Sequence, residues 1–175
     1  MLALSMKVRK ARSSRDAATV THDMLDVASC SVAAAVSAIG DRWSLLLLRE
    51  AFNGVRRYDD FLRHTGCSTA VLAVRLRKLV DAGIFRKQTY RAPGERPRAE
   101  YRLTAKGVDL LPVIVGLLQW GDRHVAGPGG GPLLLKDRRN GERIRVALVN
   151  ESNELVDARD SLPMRNPAFR RRRLR

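Results

Sequence analysis

STAVLAVRLRKLVDAG, residues 68–83, is the stretch whose reading decides the fold. Ser68 is a good N-cap, because its hydroxyl can accept from a free amide of the first turn. Leu72, Leu76 and Leu79 recur at i, i+4 and i+7, which marks one buried stripe of a helix. Gly83 follows where such a helix stops. The opposite face holds Thr69, Ala70, Ala73, Val74 and Arg77, short side chains with one cation. A face of that kind suits a DNA major groove. It suits equally an amphipathic helix whose basic side is merely solvated.

The residues that follow weigh against the second reading. IFRKQTY (84–90) alternates and is rich in β-formers, RAPGERPR (91–98) is a Pro/Gly turn with three arginines, and AEYRL (99–103) alternates again. A capped helix, a strand, a basic turn and a second strand form the layout of a winged helix-turn-helix. The arginines of the turn, Arg91, Arg96 and Arg98, would lie along the phosphate backbone.

Working back toward the N-terminus, MLDVASCSVAAAVSAI (24–39) reads as a helix ended by Gly40. Asp41 then caps DRWSLLLLREAF, a helix expected to cross the centre of the core. RYDDFLRHTG (57–66) is a short third helix with Tyr58, Phe61 and Leu62 inward. Together with residues 68–83 it has helix-turn-helix spacing.

Working forward, Thr104 caps a segment running to residue 125, with a kink or break near Leu111 imposed by Pro112. Leu110, Leu111, Ile114, Leu117 and Leu118 make this segment more apolar than a surface helix needs. With the Ala-rich first helix they are the expected dimer interface, unless they only cover the domain's own core. GPGGGP (127–132) breaks the chain, and the residues beyond it suggest a short β-hairpin around Asn140-Gly141. The fold class is therefore mostly α with a small β-wing and an additional hairpin in a C-terminal extension. The expected divisions are a basic disordered tail (1–22), a winged-helix DNA-binding and dimerisation domain (23–126), a Gly-rich linker with hairpin (127–164), and an Arg-rich disordered tail (165–175).

Among 175 residues, 33 Lys and Arg against 18 Asp and Glu give a net charge of +15. A surplus of that size calls for an acidic partner, nucleic acid first and a membrane surface second. The surplus is concentrated at the two ends, +4 over residues 1–20 and +6 over 165–175. No apolar run reaches the roughly 18–20 residues that span a bilayer, and no secretory leader is visible, so a cytoplasmic protein is expected. His22, His64 and His124 are isolated, so no metal and no cofactor are expected. No nucleophile motif is present, so an enzyme is not expected either. Cys30 and Cys67 do not form a disulfide framework.

Taken together, residues 30–121 resemble the HxlR family of bacterial winged-helix regulators, related in architecture to the MarR group. The resemblance is carried by Cys30, GDRWSLLLLRE (40–50), RRYDDFLRHTG (56–66), STAVLAVRLRKLVDAGIFRKQTY (68–90), PRAEYRLTAKG (97–107) and LLQWGD (117–122). It implies a homodimer on a pseudo-palindromic operator, with recognition by residues 68–79 and phosphate contact by the wing. Candidate DNA-contacting residues of the recognition helix are Ser68, Thr69, Ala70, Ala73, Val74, Arg75, Arg77 and Lys78. Arg75 could instead pair with Glu50 or a core-rim aspartate. The family often has polar residues where this chain has Ala73 and Val74, which shifts readout toward thymine methyls or DNA shape. Cys30 lies where some members of the family place a redox-sensing thiol, and it could equally be a small buried apolar residue. The extension after Gly127 departs from short family members.

The expected function is a sequence-specific regulator, a repressor that a small-molecule effector or thiol-reactive signal releases. The alternative is an architectural protein that binds nucleic acid non-specifically through its basic ends.

Overall fold

The structure, a computed structural model, describes residues 26–91, 97–164, 166 and 168. The tail expected over residues 1–22, Arg96, and nearly all of the 165–175 tail lie outside the described residues.

The expected first helix is two pieces. A 3₁₀ turn at Val27–Ser29 precedes α1 (Ser31–Ile39), and Cys30 sits between them in extended conformation as the N-cap of α1. Asp26 causes the break: its carboxylate accepts from the Ala28 amide at 3.0 Å, and its carbonyl accepts from the Ser29 hydroxyl. Such local bonds compete with helix propagation.

Asp41 caps α2 (Arg42–Phe52), accepting from the Ser44 amide at 2.9 Å and the Ser44 hydroxyl at 2.6 Å. Leu47 and Leu48 are completely buried, whereas Leu45 and Leu46 are half-buried. After α3 (Tyr58–Thr65), Gly66 adopts φ 68°, which a residue with a Cβ rarely does, and turns the chain into α4 (Thr69–Asp81). Ser68 caps α4 as expected, accepting from the Val71 amide at 3.3 Å.

At its other end, α4 closes with a Schellman motif. The Ile84 amide donates to the Leu79 carbonyl, the Gly83 amide donates to the Val80 carbonyl, and Gly83 sits at φ 69°. Leu72, Leu76 and Leu79 join Ile39, Leu47, Leu48, Ala51, Phe61, Cys67, Ile84 and Phe85 in one core. The Phe61 and Phe85 rings meet at 6.1 Å.

The wing is a two-stranded antiparallel sheet, β1 (Phe85–Tyr90) against β2 (Arg98–Leu103). Its register runs from Phe85 opposite Leu103 to Tyr90 opposite Arg98. A single bridge from Arg57 to Glu100 attaches the entry of α3 to the outer edge of β2. Thr104 caps α5 (Ala105–Val108), and its hydroxyl donates to the Gly83 carbonyl at 2.7 Å, fastening the wing to the end of α4. Gly107 lies so close to the Ile84 carbonyl that a Cβ there would come within 2.3 Å of it. The break expected near Leu111 is real: α6 (Leu111–His124) starts afresh with Pro112 in its first turn, where a missing amide costs nothing.

Residues 127–164 form two hairpin turns with single-residue bridges, Lys136 to Arg143 and Val149 to Leu155. The first surrounds Asn140-Gly141 as expected, with Gly141 at φ 75°. The extension is attached to α6. The Gln119 amide donates to the Ile144 carbonyl at 2.9 Å and accepts from the Val146 amide at 3.0 Å, and Asp122 accepts from the Gly131 amide at 2.9 Å. The architecture is mostly helical with a two-stranded wing, a winged helix-turn-helix. Among the described residues no single helix is long and apolar enough to cross a membrane.

Candidate nucleic-acid interface

The face of α4 that points away from the core carries Thr69, Ala70, Ala73, Val74 and Arg77, all exposed, with Ser68 exposed at its start. The helix that carries them is held at both ends. The Tyr58 hydroxyl donates to the Thr69 carbonyl at 2.9 Å, and Lys106 reaches the Ala82 carbonyl at 2.8 Å. A recognition helix needs this fixity, because base-edge contacts tolerate little displacement.

Arg75 and Lys78 are placed differently from the other candidates on α4. Both are half-buried and turn toward the N-terminus of α2, where Arg75 Nε lies 3.2 Å and Lys78 Nζ 3.6 Å from the Asp41 carboxylate. Of the partners weighed for Arg75, the core-rim aspartate is the one found. Burial pushes the Asp41 carboxyl up, but the Ser44 hydroxyl and amide, Arg75 and Lys78 outweigh it and hold the group below the usual carboxylate value. One aspartate therefore both caps α2 and braces α4.

Glu50, the other candidate partner, is buried and occupied elsewhere. It accepts from Arg49 Nε at 2.7 Å and has His64 Nδ1 at 3.3 Å. This cluster at the α2–α3 junction was not legible in the sequence, because Glu50 and His64 belong to different helices that only packing brings together.

On the wing, Arg91 and Arg98 are exposed, with Arg98 3.9 Å from Asp59. Two further cations were missed, Arg86 and Lys87, both exposed on β1. Arg86 stands directly opposite Arg102 across the sheet. Like charges in that position destabilise a ribbon, although Arg102 is compensated by Glu100 at 2.6 Å. Alternation in IFRKQTY was the available signal, since a two-stranded ribbon exposes much of both strands. The Arg57 guanidinium covers the Tyr90 ring at 4.8 Å and adds a cation near the turn end of β1.

The five leucine and isoleucine candidates for a dimer seam are divided between the core and one cleft. Leu110 and Ile114 pack against the core. Leu111, Ile114, Leu117 and Leu118 line a cleft of about 280 Å³ between α2, α6 and residues 133–135. The outward apolar stripe of α6 is instead Val113, Leu117 and Trp120, and α1 exposes Val32 and Val36. The sequence showed that this segment was over-apolar, but not which of its residues the core and the cleft would take up.

Of the two thiols, Cys67 is buried and receives the Thr65 hydroxyl at 3.2 Å, whereas Cys30 is half-buried at the N-terminus of α1. Among the described residues no cluster of three or more His, Cys, Asp or Glu is placed to hold a metal.

Residues 38–127 match the family described as HxlR-like helix-turn-helix. An uncharacterized HTH-type transcriptional regulator of Mycobacterium tuberculosis is 41% identical over 141 residues, 80% of this chain and 88% of that relative. One from Synechocystis is 40% identical over 93 residues, 53% of this chain and 67% of the relative. Among solved structures, the candidate transcription factor PA1607 is similar with a TM-score of 0.71 and 34% identity, covering 79% of this chain and 96% of that one. The redox regulator HypR in its oxidized form is similar with a TM-score of 0.51 and 28% identity, covering 55% of this chain and 99% of that one.

Proposed function

This chain belongs to the HxlR-like helix-turn-helix family of transcriptional regulators, and from that premise we propose that it is a sequence-specific, DNA-binding repressor. It works in the cytoplasm as a homodimer on an inverted-repeat operator. The supporting observation is the division of α4 into a sealed leucine face and an outward face of Thr69, Ala70, Ala73, Val74 and Arg77 on a helix braced at both ends.

In the groove, the small side chains allow close approach and methyl contacts with thymine, while Arg77 reads a guanine edge or grips a phosphate. Ser68, at the start of α4, faces the backbone. Arg75 and Lys78 act mainly by setting the pose of α4 through Asp41 and by raising the local positive potential. Arg91, Arg96 and Arg98, joined by Arg86 and Lys87, hold the flanking phosphates. The dimer seam is the stripe Val113, Leu117 and Trp120 of α6 with Val32 and Val36 of α1. An apolar effector would sit in the cleft against α2, the helix whose N-terminus braces α4. A thiol-reactive signal would meet Cys30 before the buried Cys67.

Selection of bound fragments from a random DNA pool at near-physiological salt tests this reading. An enriched inverted repeat with half-sites about one helical turn apart is the expected result. Retention of all sequences without enrichment would replace it with the architectural reading driven by the basic ends.

A further inference from the structure

The extension, residues 127–164, is ordered without a core of its own. None of its residues is buried, and Val146, Leu148, Val149, Leu155, Leu162 and Met164 are all substantially exposed. Its attachments to the body are chiefly the Gln119 and Asp122 hydrogen bonds and the leucines at 133–135. Exposed apolar rows of this length on a fixed backbone mark a surface that another chain covers.

The charge pattern says which chain. In a protein of net charge +15 the extension is neutral, so it is not built as a DNA-binding arm. Its two hairpins are oppositely charged. Residues 136–145 carry five basic and two acidic side chains, and residues 150–160 carry four acidic and one basic. Among the described residues, the ion pair found within one copy of these hairpins is Arg139 with Asp137, inside the first hairpin. Arg143, Arg145, Glu151 and Asp160 are exposed. A +3 patch and a −3 patch on one element are self-complementary under a two-fold axis, where each patch meets the other's counterpart twice.

We propose that the extension is a reciprocal dimerisation arm: the basic hairpin of one copy docks on the acidic hairpin of a second copy, closing the apolar row between them. This rests on the homodimer proposed above and lengthens its seam, since Gln119 and Asp122, which anchor the arm, flank Trp120 on α6.

The test is sedimentation equilibrium of the full chain and two double variants, Arg143→Glu with Arg145→Glu, and Glu151→Lys with Asp160→Lys. Each variant alone makes both hairpins alike in sign, so its dimer dissociation constant should rise by about tenfold or more. An equimolar mixture should form a heterodimer within about threefold of the parent, because each altered hairpin then meets its altered counterpart and the native pair is kept. A fold defect confined to one chain would not be rescued by mixing. A parent dimer with unchanged variants, or weakened variants without rescue, overturns the arm and leaves the homodimer standing. A monomeric parent overturns both.

Discussion

The winged-helix body and the extension that follows it are held in opposite ways. In the body, α2, α3, α4 and the wing close on one core in which Leu47, Leu48, Phe61, Leu72 and Leu79 have no exposed surface. The extension has no buried residue and keeps its shape through turn hydrogen bonds and the side chains of Gln119 and Asp122. Ordering backbone costs about 1–2 kcal/mol per residue, and burial is the main force that offsets it. The body meets that requirement alone. The extension does not, so its stability should depend on what covers it.

The largest test of this contrast is Leu76→Ala against Leu148→Ala. Leu76 is 1% exposed and Leu148 is 51% exposed. Denaturant melts should show a loss of about 2–5 kcal/mol for the first and less than about 0.5 kcal/mol for the second in dilute, monomeric protein. Equal losses would mean that the extension has a core after all.

Gly107→Ala probes a contact internal to the body, where the α5 backbone touches the Ile84 carbonyl. The added methyl must push α5 off the end of α4, and a loss of about 1–3 kcal/mol is expected in the same melts.

Arg77→Ala sharpens the contrast in function. On the selected operator it should cost about 1–3 kcal/mol of binding and much less on random DNA, measured by titration at fixed salt. Arg143→Ala in the extension should leave both affinities nearly unchanged at protein concentrations where the dimer is fully formed. If Arg77→Ala lost the same on both DNAs, Arg77 would be a backbone contact.

Asp41→Ala removes a helix cap and the brace on Arg75 and Lys78, with an expected loss of about 0.5–2 kcal/mol at neutral pH. The Asp41 carboxyl is held below its ordinary value of 3.8, so its contribution is present above that value and lost as pH falls through the folded-state pKa. The gap between parent and variant in acid titration should therefore close below about pH 4. A gap that stayed constant with pH would mean that neither the cap nor the ion pairs depend on the charge of Asp41.

The smallest expected change is Cys30→Ser, within about 0.5 kcal/mol in stability for a half-exposed site. Its effect belongs to signalling: DNA release by oxidant should require a higher dose than in the parent, measured by anisotropy. The same dose dependence in both proteins would remove Cys30 as the sensor.

Much of the body was legible in the residues because its rules are local. Ser68, Leu72, Leu76, Leu79 and Gly83 specify cap, inner face and stop within one helix, so the outward residues followed by elimination. The wing was legible from alternation interrupted by Pro and Gly. Which of the apolar residues of α6 meet the core, the cleft or solvent was less so, because that depends on what the rest of the chain packs against the helix.

The helix-turn-helix, the outward face of α4, the basic wing and the family could be read from the residues alone, since periodicity, capping and turn chemistry act over a few residues. That Asp41 meets Arg75 and Lys78, that Glu50 gathers Arg49 and His64, and that the extension lies on α6 with its apolar residues exposed came from the fold. Those facts depend on which distant groups packing brings within a few ångströms, and no local pattern encodes that.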